Sequence, residues 1–310
     1  MKNVYMHTRY AQGFFCAIFA LMSSQSWAAE NGNMTYPAGA SQYFIADFPL
    51  QSGNYLQFIS SYTQSEQLND AHGDKTEGLG FDMKAKAQTA RFITVWDKKI
   101  LGADVFASEL ILPYVDVDMS LNTAYGQAKM ADDGLGDVTV SPVVLQWNLG
   151  AKNNFQTVAG LSMVLPVGSY SEGANLNISN HRFALQPTFG LKYKKENGFE
   201  IGASPRISFN WENQATNYKT GTELIIDYMA AYKVGQWKPG LAGYYYTQFQ
   251  DDEQNGQTVA NSKSSGFAIG PALQYQFKVG ALLSASWQKD VMAKNKSEND
   301  NFWLSLAIKY

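Results

Sequence analysis

Charged side chains recur at alternate positions between residues 192 and 233, and they are the groups best placed to do chemistry. Lys192, Glu200, Arg206, Glu223, Asp227 and Lys233 fall on the polar side of period-2 segments. Inside a lumen, such charges either neutralise one another across it or sort solutes by sign. Dry and unpaired they would be costly, so pairing or hydration is expected. Tyr244 and Tyr246 lie on the face opposite Leu241, Tyr245 and Phe249, which makes them candidates to line a solute path.

Nothing else in the sequence forms a catalytic set. The histidines are His7, His72 and His181, and none has H-x-x-x-H or another ligand spacing. His72 and His181 fall in expected loops, away from any wall serine that a barrel hydrolase would use. There is no P-loop and no G-x-G-x-x-G after a strand. Asp70 with Asp74, the Asp132-Asp133 pair and Asp251-Asp252-Glu253 read as solvated loop tips, without the spacing of a calcium loop. The reading is therefore of a protein that is not an enzyme, with no cofactor and no metal. The formal net charge of -3 supplies no basic excess for nucleic acid.

Residues 301–310, N-F-W-L-S-L-A-I-K-Y, show what kind of element positions these groups. Phe302, Leu304, Leu306, Ile308 and Tyr310 share one side of a strand, and Trp303, Ser305 and Lys309 share the other. Such a strand suits the wall of a bacterial outer-membrane β-barrel, with the first set toward lipid and the second toward the lumen. On that reading Leu306→Arg should impair assembly and Ser305→Arg should be tolerated. The 310 residues contain no apolar run of eighteen or so, hence no transmembrane helix.

About twelve antiparallel strands are expected near 53–65, 88–98, 103–117, 136–149, 154–166, 182–195, 198–211, 221–234, 237–249, 265–278, 280–290 and 301–310. Tight connections near 98–102, 150–153, 196–198, 235–236 and 279–280 alternate with longer polar ones at 67–87, 118–135, 167–181, 212–220, 250–264 and 289–300. Short periplasmic turns and longer outer loops alternate in this way in an outer-membrane barrel. Trp96, Trp147, Trp211, Trp237 and Trp287 gather near expected strand ends, as interfacial girdles require. Pro113, Pro142, Pro187, Pro205, Pro239 and Pro271 fall inside expected strands, so bulges or kinks must break the ladder there.

The amino terminus has the form of a secretory signal over 1–28. Lys2 and Arg9 precede an apolar core at 13–22, and Ser26-Trp27-Ala28 offers a cleavage site after Ala28. Cys16, the single cysteine, lies within it, so the mature chain would have neither disulfide nor thiolate. Residues 29–52 are irregular and apolar, and are expected to enter the barrel from the periplasmic side as a plug, with Phe44 and Phe48 inside. A disordered or periplasm-packed lead is the alternative. The barrel itself would span 53–310.

Several stretches carry a family resemblance. They are G-L-G-D-V-T-V-S-P-V-V-L-Q-W at 134–147, L-P-V-G-S-Y at 165–170 with Asn177 and Asn180, and N-Y-K-T-G-T-E-L-I-I-D-Y at 217–228. G-L-A-G-Y-Y-Y-T-Q at 240–248 is followed by Asp251-Asp252, and G-P-A-L-Q-Y at 270–275 by Ala293-Lys294-Asn295. Together they resemble the outer-membrane family linked to the meta-cleavage pathway of phenol degradation, whose members look like transport barrels for aromatic or other hydrophobic compounds. The resemblance implies a channel in the Gram-negative outer membrane for passive uptake of small hydrophobic or aromatic solutes. A general or charge-selective porin and a closed structural or adhesive barrel remain the alternatives. The expected partners are outer-membrane lipid and lipopolysaccharide, the barrel-assembly machinery reading the strand from Phe302 to Tyr310, and the hydrophobic solute itself.

Overall fold

The computed structural model describes residues 32, 34–150 and 152–310. The signal segment and its cleavage site lie outside the described residues. Sixteen strands follow: β1 (Gly53–Leu68), β2 (Gly80–Trp96), β3 (Val105–Thr123), β4 (Gly126–Leu135), β5 (Val138–Leu149), β6 (Phe155–Leu165), β7 (Ala184–Lys194), β8 (Phe199–Asn210), β9 (Tyr218–Lys219), β10 (Glu223–Tyr232), β11 (Trp237–Gln248), β12 (Glu253–Gln254), β13 (Gln257–Thr258), β14 (Ser265–Gln276), β15 (Leu282–Lys294) and β16 (Ser297–Lys309).

β1, β2, β3, β5, β6, β7, β8, β10, β11, β14, β15 and β16 close into a 12-strand antiparallel barrel. Closure pairs β1 with β16, from Tyr55 opposite Lys309 to Leu68 opposite Ser297, so no edge is left open at the seam. β4 continues the line of β5 and hydrogen-bonds the far half of β3. β9, β12 and β13 make a small separate sheet.

Alternation sorts the wall as lipid and lumen demand. Phe58, Phe189, Ile201, Leu241, Leu273, Phe302 and Leu304 are exposed on the outside, while their strand neighbours Gln57, Trp303 and Ser305 are buried inside. Ser305 is only 1% exposed, so the expected tolerance of Ser305→Arg is wrong: the inward face here is packed, not wet. Trp96, Trp211, Trp237 and Trp287 remain exposed on the wall. Four of the six prolines break a ladder as expected, whereas Pro113 and Pro239 sit in unbroken registers opposite Thr89 and Leu273. The β3–β5 and β5–β6 registers both shift beside Pro142, the β7–β8 pairing skips Pro187 and Pro205, and the β14–β15 pairing skips Pro271.

Two expected loops are largely strand instead, and a third is so over about half its length. β2 begins at Gly80, residues 118–135 form a β3–β4 hairpin, and β15 and β16 run to a tight turn at 295–296. Lys84, Lys86 and Asp118 lie along the first two extensions, and Lys86 pairs with Asp116 of the expected third strand at 3.4 Å. Strands that rise past the lipid meet water on their outer face, so the apolar half of the alternation disappears and they read as loop.

Residues 34–48 pack against the inner wall of the barrel, and residues 50–52 are exposed. Tyr43 and Ile45 are each 1% exposed and pack with Val144, Val158, Met229, Ala231 and Ala242 from the inner wall. Ala38, Met34 and Tyr36 pack against Ile225, Tyr244 and Tyr246. Burying one such aromatic or aliphatic side chain contributes roughly 1.5–3 kcal/mol. Apolar burial thus holds a segment that has no strand of its own.

Candidate lumen site

Two carboxylates seat the inner segment. Asp227 on β10 accepts from Gly39 N at 2.7 Å, Ser41 N at 3.0 Å and the Tyr36 hydroxyl at 3.4 Å. It thereby satisfies the backbone of a tight turn that has no ladder partner. Gly39 has φ +87°, and a Cβ there would collide with the Gln288 side chain, whose amide donates to Gly39 O at 3.0 Å. The second carboxylate is Asp47, which accepts from Lys192 Nζ and Lys194 Nζ, each at 2.8 Å. Lys192 also donates to Tyr43 O at 3.1 Å and has Glu200 at 3.7 Å, while Glu200 pairs with Lys238 at 2.8 Å. Burial alone would raise the Asp47 carboxyl, but Lys192, Lys194 and Lys238 outweigh it and hold the group below the usual carboxylate range. Burial pushes the Tyr36 hydroxyl up to about 12.

The segment leaves a cavity of about 690 Å³ between itself and the wall. Met34, Tyr36, Phe44 and Phe48 line one side, and Ile59, Phe81, Met83, Ile111, Val115, Val117 and Met119 from β1, β2 and β3 line the other. Ser61, Thr63, Thr139, Ser141, Ser162, Asn177, Asn180 and Asn299 also line it, so an apolar part adjoins a polar one. A concave chamber of apolar surface with convergent polar groups is the usual form of a small-molecule site. Its clearest polar feature is Arg91, which pairs with Glu109, donates to Gln57 Oε1 at 2.9 Å and stands 5.6 Å from the Phe48 ring. Arg206 lines the same cavity, 4.2 Å from the Tyr36 ring centroid.

The residues singled out by sequence meet different fates. Lys192, Glu200, Glu223 and Asp227 point inward but are buried in hydrogen bonds and ion pairs with the segment and the wall. Lys233 is not in the lumen. β10 ends at Tyr232, and Lys233 is exposed at the following turn, 3.4 Å from Gln276 Oε1. Tyr244 and Tyr246 face inward as expected, yet the inner segment covers them, so neither lines the open cavity. Tyr246 donates to Glu223 at 3.2 Å and Tyr244 to Asp290. Asp252 is no solvated loop tip. It is fully buried, accepting from the Tyr218 hydroxyl at 2.5 Å and from Gly221 N and Gln248 Nε2 at 2.7 Å. Sequence reasoning missed Asp47, Lys238, Arg91 and Glu109. The available signal for Asp47 was its position as an acid in an apolar stretch.

A family described as "Putative MetA-pathway of phenol degradation" matches residues 65–306. The chain belongs to that family. In fold it is similar to an outer membrane channel from Pseudomonas putida F1, with TM-score 0.71 and 12% identity over 85% of this chain and 97% of that one. The transport unit of the autotransporter AIDA-I from Escherichia coli follows at TM-score 0.51 and 11% identity, over 87% and 94% of the two chains. No curated protein matches it in sequence. The family member thus has the closed β-barrel fold of such an outer membrane channel.

Proposed function

We propose that this barrel is a passive outer-membrane channel for small hydrophobic or aromatic compounds. The observation that carries the reading is the apolar part of the 690 Å³ cavity, formed by aliphatic, thioether and aromatic side chains of β1 to β3 and of residues 34–48, within a lining that also includes Asp137, Asn177, Asn180 and Asn299. Against Ile111, Val117 and Met119 an apolar solute buries its body at no polar cost, whereas a sugar's hydroxyls would find no partner on that part of the wall. The family's description and the outer membrane channel of similar fold support the same reading. The protein does no chemistry on the solute: it captures it among apolar side chains and releases it toward the periplasm down its own gradient. Residues 34–52 act as a plug that moves during passage, held meanwhile at Asp227 and Asp47.

Flux into liposomes tests the reading. Proteoliposomes should take up a labelled aromatic solute such as toluene faster than empty liposomes, and should not swell in sugars. Sugar permeation would replace this function with that of a general porin. Flux of neither solute would leave a closed structural barrel.

A further inference from the structure

We propose that Arg206 is the anchor for the carboxylate of a small amphipathic acid, an aryl or alkyl acid whose apolar body fills the adjoining cavity. The proposal rests on the channel reading above and narrows its solute class. Its starting point is a difference between the two arginines that line the chamber. Arg91 is matched by Glu109. Arg206 has no carboxylate oxygen of a described residue within the 4.0 Å of an ion pair. Its contacts are Gln186 Oε1 at 3.2 Å and the Tyr36 ring at 4.2 Å.

Of the neighbouring acids, Asp227 interacts electrostatically with Arg206, but neither it nor Glu223 comes within ion-pair distance. Arg206 stands opposite Ile225 in the β8–β10 ladder, between Glu223 and Asp227 on the same inner face. Glu223 accepts from Tyr246 at 3.2 Å, Asn210 Nδ2 at 3.0 Å and Thr35 N at 3.3 Å. Asp227 is taken up by Gly39, Ser41 and Tyr36. A guanidinium carries five N–H donors, and a single hydrogen bond to Gln186 leaves a fork free for two-pronged carboxylate binding. Directly across the β7–β8 ladder stands Thr188, which also lines the cavity and whose hydroxyl has no hydrogen-bond partner. A cation and a spare hydroxyl in a cavity also lined by Phe44, Ala46 and Met34 describe a ligand with one anionic end and one greasy end.

The test uses the full chain in nanodiscs, with 4-phenylbutyrate and the neutral 4-phenylbutanol as probes in calorimetry. The acid should bind at least about tenfold more tightly than the alcohol. R206Q should erase that preference while leaving alcohol binding in place. Equal affinity for the two probes, or an acid preference that survives R206Q, overturns the assignment. In both cases continued alcohol binding leaves the hydrophobic-channel reading standing. If neither probe binds and neither crosses proteoliposomes, the channel reading fails and the anchor with it. Should R206Q not fold, R206K replaces it, because lysine keeps the charge and loses the fork. Acid affinity should then fall several-fold, and unchanged affinity refutes the two-pronged anchor.

Discussion

Asp47→Asn is the sharpest perturbation of the inner segment. The change keeps the size of the side chain and removes its charge. Lys192, whose side chain is 0% exposed, then loses its partner at 2.8 Å and keeps Tyr43 O at 3.1 Å and Glu200 at 3.7 Å. Removing one member of a buried ion pair costs roughly 3–5 kcal/mol. Two features reduce that here. Glu200 still opposes Lys192, although it is shared with Lys238 at 2.8 Å, and the Asp47 side chain is 30% exposed, so solvent already screens it. About 2 kcal/mol remains, equivalent to about a 30-fold shift in the docking equilibrium of residues 34–52. Single-channel recording in planar bilayers reads this directly, as about a 30-fold rise in time spent in the high-conductance state. An occupancy that does not change, in protein shown to be folded by its heat-dependent gel migration, would refute the idea that this ion cluster holds the segment in place.

Other outcomes follow from the same geometry. Asp47 titrates below its unfolded value of about 3.9, so its contribution is complete above that pH and is lost as pH falls through the lower folded value. Conductance should therefore be flat between about pH 5 and 8 and rise only in stronger acid. Gly39→Ala combines φ +87° with a collision against Gln288, so it should unseat the turn at Asp227 and raise channel opening as Asp47→Asn does. Leu306→Arg places a charge on the lipid face and should cost about 2–4 kcal/mol if it lies near the midplane, seen as a smaller folded fraction in urea titrations. Ser305→Arg should fail as well, because its site is 1% exposed, and equal urea midpoints for it and the wild type would contradict the packing.

The barrel was legible because lipid imposes a rule on every strand that crosses it. Phe302, Leu304 and Leu306 must alternate with Trp303 and Ser305, and they do. Where β2, β3 and β4 leave the lipid the rule lapses, and Lys84, Lys86 and Asp118 gave no hint of strand. Lys233 misled because alternation carried past Tyr232, where β10 stops. Tyr244 and Tyr246 misled differently. Their face was right, but periodicity does not say what stands in front of a face. The long-range contacts that decide the site, Asp47 with Lys192 and Gly39 with Asp227, join positions 145 and 188 residues apart. No local pattern reports them.

One consequence follows from where the inner segment is attached. It runs directly into β1, the strand that seals the barrel against β16, with only residues 48–52 between the Asp47 seat and Gly53. Undocking is therefore a unimolecular event, and the released segment stays at an effective concentration in the millimolar range. A free peptide copying residues 34–52 would need comparable concentrations to compete for the vacated lumen. The blocker is covalently metered at one per channel, so the closed fraction should be the same whether a membrane holds one barrel or thousands.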